Sequence, residues 1–349
     1  MKKKRIAIIF GGHSSEYSVS LQSASAVIKN INQEKYETLL IGITKYGNWY
    51  KYNGNITNLL NDSWYNPVDC VPALISPNRG SSEIIELNSK AVIRHKVDVV
   101  FPILHGKFGE DGTLQGLLEL SGIPYVGCDT LSSALCMDKD LAHLVAKVAG
   151  VKIPKYIVIN KNTSIVEVIN KTKSLGYPLI VKPAKAGSSY GISKVENEKE
   201  LSLALKTASI HDKKIVIEEF IKGFEVGCAI FGNDNLTIGE VDEIELSKGF
   251  FNYTEKYSLQ TSKIHLPARL SKDITTKVKK TAIKLYKALQ CKGFARVDMF
   301  VTPTGEIVFN EINTIPGFTT HSRFPNMLKG IGLSFTEIID NLIELALQQ

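Results

Sequence analysis

Three oxygen-bearing side chains near the C-terminal end of the chain have the types and spacing needed to bind a divalent cation. They are Asp298, Glu311 and Asn313. Mg²⁺ takes carboxylate and amide oxygens as ligands and usually keeps the rest of its octahedron for water and phosphate. A single acidic side chain is most often a solvated surface residue, but this set favours a metal site that binds nucleotide phosphates.

A β-hairpin would bring these three side chains together. Residues 296–300 and 306–309 have the composition of two strands, and a turn with Pro303 and Gly305 separates them. Because side chains alternate faces along a strand, Glu311 and Asn313 point the same way, while Ile312 between them enters the core. The hairpin would then place the first ligand opposite the other two.

A second set of residues could bind the nucleotide itself. Residues 182–191 form a loop of glycines and small residues between two predicted strands, where successive backbone N–H groups can converge on an anion. Lys182, at the end of an apolar strand, needs a negatively charged partner. Residues 218–225 mix carboxylates with apolar side chains and could bind the adenine and the ribose. Each segment alone also fits an ordinary loop, and the chain has neither a Walker A motif nor a dinucleotide-binding glycine pattern.

A third polar segment, residues 105–113, follows a predicted strand and begins a helix. The carboxyl end of such a strand is the ligand-facing edge of an open α/β sheet. His105 is therefore a candidate site residue. Glu110 and Asp111 lie where acidic side chains also stabilise a helix N-terminus, so the sequence leaves open whether they serve the site or only the helix.

The order of the predicted elements divides the chain into three domains. Residues 1–128 form an α/β domain, because apolar runs typical of buried parallel strands alternate with helical spacing. Residues 129–218 form a smaller α+β domain. Residues 219–349 are rich in strands and carry a polar loop at 247–262 and the metal hairpin. The predicted strands are 5–10, 36–43, 97–104, 157–159, 179–181, 192–195 and 215–217, and the predicted helices are 19–29, 114–120, 138–149, 164–174, 198–208, 274–289 and one from Ser334.

Composition restricts the class of protein. The 349 residues carry a net charge of +7, but the lysines are spread along the chain without a basic block, so we expect phosphate-bearing substrates rather than nucleic acid. Five cysteines without a Cys-x-x-Cys pair support neither a zinc site nor a disulfide framework. The apolar run after the basic N-terminus is too short for a secretory signal and no segment is long enough to span a membrane, so we expect a cytoplasmic protein.

Seven motifs follow one another along the chain. They are Gly11-Gly12-His13-Ser14-Ser15-Glu16 with Val19-Ser20, His105-Gly106 through Gly116, Met137-Asp138-Lys139, Lys182-Pro183 with Gly187-Ser188-Ser189, Glu255-Lys256-Tyr257, Gly293 to Asp298, and Asn310 to Gly317. In this order they resemble the ATP-grasp superfamily, and their match to the D-alanine:D-alanine ligase family covers essentially the whole chain. The resemblance implies a three-domain ATP-grasp fold with an N-terminal α/β (pre-ATP-grasp) domain.

The resemblance also implies a reaction. ATP phosphorylates the carboxylate of a first D-alanine, and a second D-amino or D-hydroxy acid attacks the resulting acyl phosphate. Two Mg²⁺ ions, for which Mn²⁺ can substitute, would be bound by Asp298, Glu311 and Asn313. ATP would be bound by Lys139, Lys182, Ser189, Glu218, Ile221, Glu225, Lys256 and Phe300. The first D-alanine and the tetrahedral oxyanion would be bound by Glu16, Ser188, Tyr257, Arg296 and the N–H of Gly317, with His105 also on the substrate side. The 247–262 loop would act as a lid that excludes water from the intermediate.

Ser322 and Arg323, which follow the hairpin, indicate the identity of the second substrate. In the family, the position of Ser322 binds the acceptor carboxylate, and the next position is usually leucine in enzymes that use D-alanine there. This chain has Arg323, whose five donors would favour the hydroxymethyl group of D-serine over a methyl group. The chain therefore resembles the D-alanine:D-serine ligases of vancomycin resistance. Tyr257 argues against D-lactate, and D-alanine is the alternative acceptor if Arg323 points to solvent.

Two other classes of protein share some of these features. An ATP-binding sensor could lose Arg296 or Glu16, yet both are present. A biotin-dependent or purine-type ATP-grasp ligase does not require the motif at residues 11–20. Because the family is commonly dimeric, the resemblance also leads us to expect a homodimer.

Overall fold

Three β-sheets organise the chain in a computed structural model that describes residues 2–246 and 262–348. The described strands are β1 (Lys4–Gly11), β2 (Tyr36–Ile43), β3 (Trp49–Tyr52), β4 (Cys70–Ile75), β5 (Glu83–Leu87), β6 (Val92–Lys96), β7 (Val99–Ile103), β8 (Tyr156–Asn160), β9 (Leu179–Pro183), β10 (Ser193–Val195), β11 (Lys214–Glu219), β12 (Phe224–Phe231), β13 (Thr237–Ile238), β14 (Asp242–Leu246), β15 (Ser262–His265), β16 (Phe294–Val301) and β17 (Ile307–Asn313). The described helices are α1 (Tyr17–Asn30), α2 (Thr57–Leu60), α3 (Thr113–Ser121), α4 (Thr130–Met137), α5 (Lys139–Val148), α6 (Ile165–Thr172), α7 (Glu198–Ser209), α8 (Lys272–Ala288), α9 (Arg323–Lys329) and α10 (Phe335–Ala346).

The first sheet has the strand order β6-β5-β4-β3-β2-β1-β7. Strand β1 pairs in parallel with β2 and β7, and its apolar residues from Ile6 to Phe10 are completely buried, as a strand covered on both faces requires. These strands and helices α1 and α3 confirm the predicted α/β pattern. The antiparallel extension from β3 to β6 was not predicted, because its strands are short and β6 is largely exposed.

The second sheet is antiparallel, with the order β10-β9-β11-β8. Helices α6 and α7 pack on it through an apolar core that includes Val168, Leu201 and Ala204. The predicted phosphate loop connects β9 to β10. This sheet therefore supports both ends of the loop and, through β11, the segment predicted to bind adenine.

The third sheet has the order β15-β14-β12-β16-β17, with β13 beside β12. Strands β16 and β17 form the predicted hairpin, and Ile312 is buried in the core beneath it. The register shifts after Asp298, so that Asn310 is an extra residue in β17. Such β-bulges are frequent next to active sites, where they change the direction of a side chain.

Helices distant in sequence join these sheets. Helices α4, α5 and α8 contribute to one core with the third sheet. The C-terminal helix α10, which begins with a capping box formed by Ser334 and Glu337, packs instead against α1 and β7 of the first sheet. Among the described residues, no helix combines the length and apolarity that a membrane crossing needs.

Candidate functional site

The two carboxylates of the hairpin lie directly opposite each other. Asp298 pairs with Glu311 across β16 and β17, and Arg296 pairs with Asn313. Like charges placed opposite each other destabilise a sheet unless a positive charge lies between or beside them. This arrangement is therefore suited to a cation, and carboxylate and amide oxygens are the ligands that Mg²⁺ prefers.

Arg296 and Asn313 hold the Asp298 carboxylate in place. The Nε of Arg296 donates to Oδ1 of Asp298 at 2.8 Å and its Nη2 donates to Oδ2 at 2.7 Å, while Nδ2 of Asn313 donates to Oδ2 at 2.9 Å. Burial is the largest influence on Arg296 and opposes its charge, but the charge and hydrogen bonds of Asp298, together with the charge of Glu311, raise the pKa of the guanidinium above its ordinary value. Glu311 and Asn313 are two positions apart on β17, so their side chains leave the same face of the strand and the three residues fit a magnesium site.

A cavity of about 390 Å³ lies between the second and third sheets. Its lining includes every described residue that the sequence assigned to ATP, and Glu311 of the metal set. The seven ATP candidates are Lys139, Lys182, Ser189, Glu218, Ile221, Glu225 and Phe300. Lys256 and Tyr257, also predicted site residues, lie outside the described residues. The walls combine apolar side chains with a few charged groups, as nucleotide sites do.

Two buried lysines mark the polar side of this cavity. Lys182 lies 2.7 Å from the Glu218 carboxylate, and both side chains are almost completely buried. The charge partner predicted for Lys182 is therefore confirmed. Lys139 donates to the carbonyl of Ala186 at 2.8 Å and lies 3.5 Å from Glu311. The phosphate loop and the metal hairpin thus approach each other at Lys139.

Two residues predicted to bind the first D-alanine, Glu16 and Ser188, meet at the phosphate loop. Ser188 donates a hydrogen bond to Oε1 of Glu16. Glycines make this contact possible, because a Cβ at Gly187 or Gly106 would lie 2.4 or 2.3 Å from Oε2 of Glu16. Ser188 itself has a φ of +49°, a strained conformation for a residue with a Cβ, and such strain is concentrated at ligand-binding sites.

His105 has a different role from the one the sequence suggested. We predicted that it contacts substrate, but its Nδ1 lies 2.8 Å from the carbonyl of Ile315 and its Nε2 lies 3.0 Å from Oγ of Ser23. A carbonyl only accepts, so Nδ1 carries the proton, and Nε2 accepts from Ser23. Complete burial lowers the pKa of His105 to about 4, which keeps this neutral form. His105 therefore positions the loop after the hairpin.

Glu110 holds the same loop from another direction. Its carboxylate accepts from the N–H groups of Gly106 at 2.7 Å and Ile315 at 3.0 Å. Burial, and then the charge of Glu16, raise the pKa of Glu110 to about 8. Asp111 accepts from two nearby backbone N–H groups and serves the local turn. Of the two roles that the sequence left open for this pair, Glu110 thus supports the site and Asp111 the local structure.

Arg323 lies at the start of α9 and points inward. It donates to Asp242 through Nε and Nη2, both at 2.8 Å, and to Glu225 through Nη1 at 2.9 Å. The same Nη1 lies 3.3 Å from Asp298, and only 9% of the side chain is exposed. The alternative in which Arg323 points to solvent is therefore wrong. Ser322 accepts from the N–H of Thr319 at 2.9 Å, and a Cβ at Gly317 would lie 3.1 Å from its Oγ.

Sequence patterns did not identify three residues that complete this site. Ser23 lies three residues after the motif that ends at Ser20, His143 lies one turn after the Met137-Asp138-Lys139 motif, and Asp242 begins an ordinary strand. Each acts through a partner that is at least 75 residues away in sequence. The one available signal was burial, since polar residues inside a domain need a hydrogen-bonding partner.

Comparisons with known proteins identify the family of this chain. Residues 5–128 match the family model described as "D-ala D-ala ligase N-terminus", and residues 145–344 match "D-ala D-ala ligase C-terminus". The chain is 45% identical to the vancomycin B-type resistance protein VanB of Enterococcus faecalis over 100% of both chains. It is 42% identical to a D-alanine--D-alanine ligase of Caldicellulosiruptor bescii, over 100% of this chain and 96% of that one.

A solved structure extends these comparisons to the fold. The VanG D-Ala:D-Ser ligase from Enterococcus faecalis matches with a TM-score of 0.91 and 54% identity, over 99% of this chain and 100% of that one. The resemblance predicted from the motifs is thus confirmed. With an ATP-grasp fold preceded by an additional N-terminal domain, the chain belongs to the D-alanine–D-alanine ligase family.

Proposed function

We propose that this protein joins D-alanine to D-serine, with ATP converted to ADP and phosphate and D-alanyl phosphate as the intermediate. The observation that carries the choice of D-serine is the inward, carboxylate-bound position of Arg323 beside Ser322. The relative with 54% identity, described as a D-Ala:D-Ser ligase, supports the same choice. The product would serve modified peptidoglycan precursors and glycopeptide resistance.

ATP and its metal ions would bind in the cavity between the second and third sheets. Two Mg²⁺ ions held by Asp298, Glu311 and Asn313 would neutralise the charge of the triphosphate and of the phosphoryl group in transfer. Lys139 and Lys182 would contact the phosphates, and Glu218 would accept a hydrogen from the adenine amino group. The buried ion pair of Lys182 and Glu218 supports these assignments, because it joins a residue proposed to bind phosphate to a residue proposed to bind adenine.

The first D-alanine would bind where the phosphate loop meets the first sheet. Glu16 is buried there, and its carboxylate, aligned by Ser188, would pair with the substrate ammonium. Arg296 is fixed by Asp298 with its guanidinium at the hairpin. It would stabilise the tetrahedral oxyanion together with the N–H of Gly317, because donors fixed in advance need no reorganisation during the reaction.

The acceptor would bind between Ser322 and the guanidinium of Arg323. Asp242 and Glu225 fix this guanidinium at two edges, so it has little freedom to move aside for an apolar side chain. A hydroxymethyl group can accept a hydrogen bond from Arg323, whereas a methyl group cannot accept one. D-Alanine remains the second candidate acceptor, because a relative with 42% identity is described as a D-alanine--D-alanine ligase.

The remaining predictions belong to the same proposal. They are domains at residues 1–128, 129–218 and 219–349, a lid at residues 247–262, a homodimer and a location in the cytoplasm. The three described sheets, with strands at 4–103, 156–219 and 224–313, support the division into domains. Sedimentation of the purified protein would test the dimer. A single species with the monomer mass of 38.5 kDa would exclude it.

The reaction itself can be tested with purified protein, ATP, Mg²⁺ and D-alanine, with and without D-serine. We expect release of phosphate with D-alanine, and a mixed dipeptide identified by mass spectrometry when both amino acids are supplied. Equal amounts of the two acceptors should give mainly the product with D-serine. Exclusive formation of D-alanyl-D-alanine would support the second candidate, and no phosphate release with D-alanine would contradict both.

A further inference from the structure

His143 lies behind the nucleotide cavity, where it contacts both halves of the proposed site. It is on α5, and its side chain is completely buried. The ring packs edge-on against Tyr156, with centroids 5.2 Å apart, and against Phe309, with centroids 5.6 Å apart. The ring does not line the cavity, so any effect on a ligand must act through its neighbours.

The first of these neighbours is the bulge in the metal-binding strand. Nε2 of His143 lies 3.1 Å from the carbonyl oxygen of Asn310. Asn310 is the extra residue between Phe309, which pairs with Met299, and Glu311, which pairs with Asp298. A carbonyl only accepts, so Nε2 carries the proton and donates. This hydrogen bond fixes the backbone one residue before a proposed metal ligand.

The second neighbour is the carboxylate proposed to bind adenine. Nδ1 of His143 lies 3.5 Å from Oε1 of Glu218, the same oxygen that pairs with Lys182 at 2.7 Å. Burial lowers the pKa of His143, so the neutral ring turns its Nδ1 lone pair toward this oxygen. Within the described residues, Nδ1 has no hydrogen-bond partner. The lone pair therefore disfavours a closer approach of this oxygen, which lies 2.7 Å from Lys182 on a residue that lines the cavity.

We propose that His143 is a positioning residue for the nucleotide, linking the base-binding carboxylate Glu218 to the bulge that orients Glu311. This inference rests on the proposed function, because Glu218 must face the adenine for His143 to affect the choice of base. It adds a determinant of nucleotide affinity and base selectivity that lies outside the cavity. We expect its effect to be confined to the nucleotide, since within residues 2–246 and 262–348 His143 contacts none of those proposed to bind D-alanine.

The test compares binding of ATP with binding of inosine triphosphate, which has a carbonyl where adenine has the amino group. Calorimetry with Mg²⁺ measures both affinities without any need for turnover. In the wild type we expect ATP to bind more tightly. In His143→Leu the affinity for ATP should fall about three- to tenfold, the loss expected for one orienting hydrogen bond, with little change for inosine triphosphate. The KM for D-alanine should stay the same.

Two further variants separate positioning from packing. His143→Gln places an amide near the Nε2 position and can donate to the Asn310 carbonyl, so it should keep the bulge in place. Because it has no atom at the Nδ1 position beside Glu218, its selectivity for ATP should fall as in His143→Leu. Leu285→Ala is the packing control, because Leu285 is completely buried in the same core and its truncation should lower the Tm without changing the ratio of affinities. If His143→Leu does not fold, His143→Gln, which also lacks an atom at the Nδ1 position, provides the same test of selectivity.

Three results would overturn the inference. They are an unchanged ratio of affinities in the His143 variants, an equal change in Leu285→Ala, or a loss of D-alanine affinity as large as that of ATP. If the wild type releases phosphate with D-alanine, these results reject only the role of His143. If the wild type binds no ATP, the proposed function fails as well.

Discussion

Arg323 and Asp242 form a two-point pair, with Nε and Nη2 of the guanidinium each 2.8 Å from a carboxylate oxygen. Both side chains are buried, and 81 positions separate them in sequence. The nearby charges of Asp242 and then Asp298 outweigh the effect of burial and raise the pKa of Arg323 well above its ordinary value. The guanidinium is therefore permanently charged and held in one orientation beside the proposed acceptor site.

The first prediction concerns the acceptor. Arg323→Leu should change the ratio of kcat/KM for D-serine over D-alanine by about ten- to hundredfold in favour of D-alanine. The lost interaction is a hydrogen bond to a charged group, worth roughly 1.5–3 kcal/mol. Competition between the two acceptors in one reaction, followed by mass spectrometry, measures this ratio directly. An unchanged ratio would remove Arg323 from the acceptor site.

The effect of Arg323→Leu on the stability of the folded protein needs a control of its own. Arg323→Leu leaves Asp242, which is 1% exposed, without its cation, and an unpaired buried charge destabilises a protein by several kcal/mol. We therefore include the double variant Arg323→Leu/Asp242→Asn, which removes both charges. It should show the same change of acceptor with a higher Tm than the single variant.

The second prediction concerns the metal ions. Asp298→Asn should lower kcat by about 100-fold or more, since loss of even an outer-shell partner of a metal costs about 10–100-fold. Titration with Mn²⁺ in the presence of ATP, followed by electron paramagnetic resonance, should show weaker metal binding. Glu306→Gln is a matched control, because Glu306 lies on the same hairpin but is 51% exposed and pairs with Lys152. Equal metal affinity in Asp298→Asn and the control would contradict the assignment.

The third prediction concerns the first D-alanine. Gly187→Ala places a Cβ about 2.4 Å from Oε2 of Glu16, so the carboxylate must move. We expect a rise of about tenfold in the KM for the first D-alanine, equivalent to roughly 1.4 kcal/mol, with little change in the KM for ATP. Steady-state kinetics with each substrate varied in turn separates these two values. In Gly116→Ala the new Cβ lies 3.8 Å from its nearest neighbour, and wild-type kinetics are expected there.

The fourth prediction concerns stability at acidic pH. The pKa of His105 is about 4 in the folded protein and 6.5 without the fold, so the unfolded chain binds more protons between these values. Stability from this group is complete above pH 6.5 and is lost as the pH falls toward 4, by up to about 3 kcal/mol. His105→Asn keeps a donor for the Ile315 carbonyl but does not titrate.

Chemical denaturation at several pH values between 4.5 and 7 provides the measurement. The free energy of unfolding should fall more steeply with acid in the wild type than in His105→Asn, because only the wild type has this group to protonate. Parallel curves would show that His105 is not buried in its neutral form. Using the difference between the two proteins cancels the other titrating groups, including Glu110, whose raised pKa acts in the opposite direction.

The sequence by itself determined the features that depend on neighbours along the chain. Apolar runs predicted β1 and β2, and helical spacing predicted α7 and α8. A turn with Pro303 and Gly305, together with alternating side chains, predicted the hairpin that pairs Asp298 with Glu311. Motif order was enough to predict the family. In each case the controlling interactions act over a few residues, so the local pattern contains the information.

Tertiary structure alone decided which polar groups meet. The pairs Arg323 with Asp242, His143 with Asn310, and His105 with Ser23 are 81, 167 and 82 positions apart, and no periodicity connects their members. The packing of α10 on the first sheet and the antiparallel strands β3 to β6 likewise depend on surfaces formed only after folding. The type of a charged or aromatic residue limits what it can bind, but burial and the arrangement of the sheets determine which partner it has. His105 shows this most clearly, because its place in a motif suggested a ligand while its two buried hydrogen bonds made it a support for the loop.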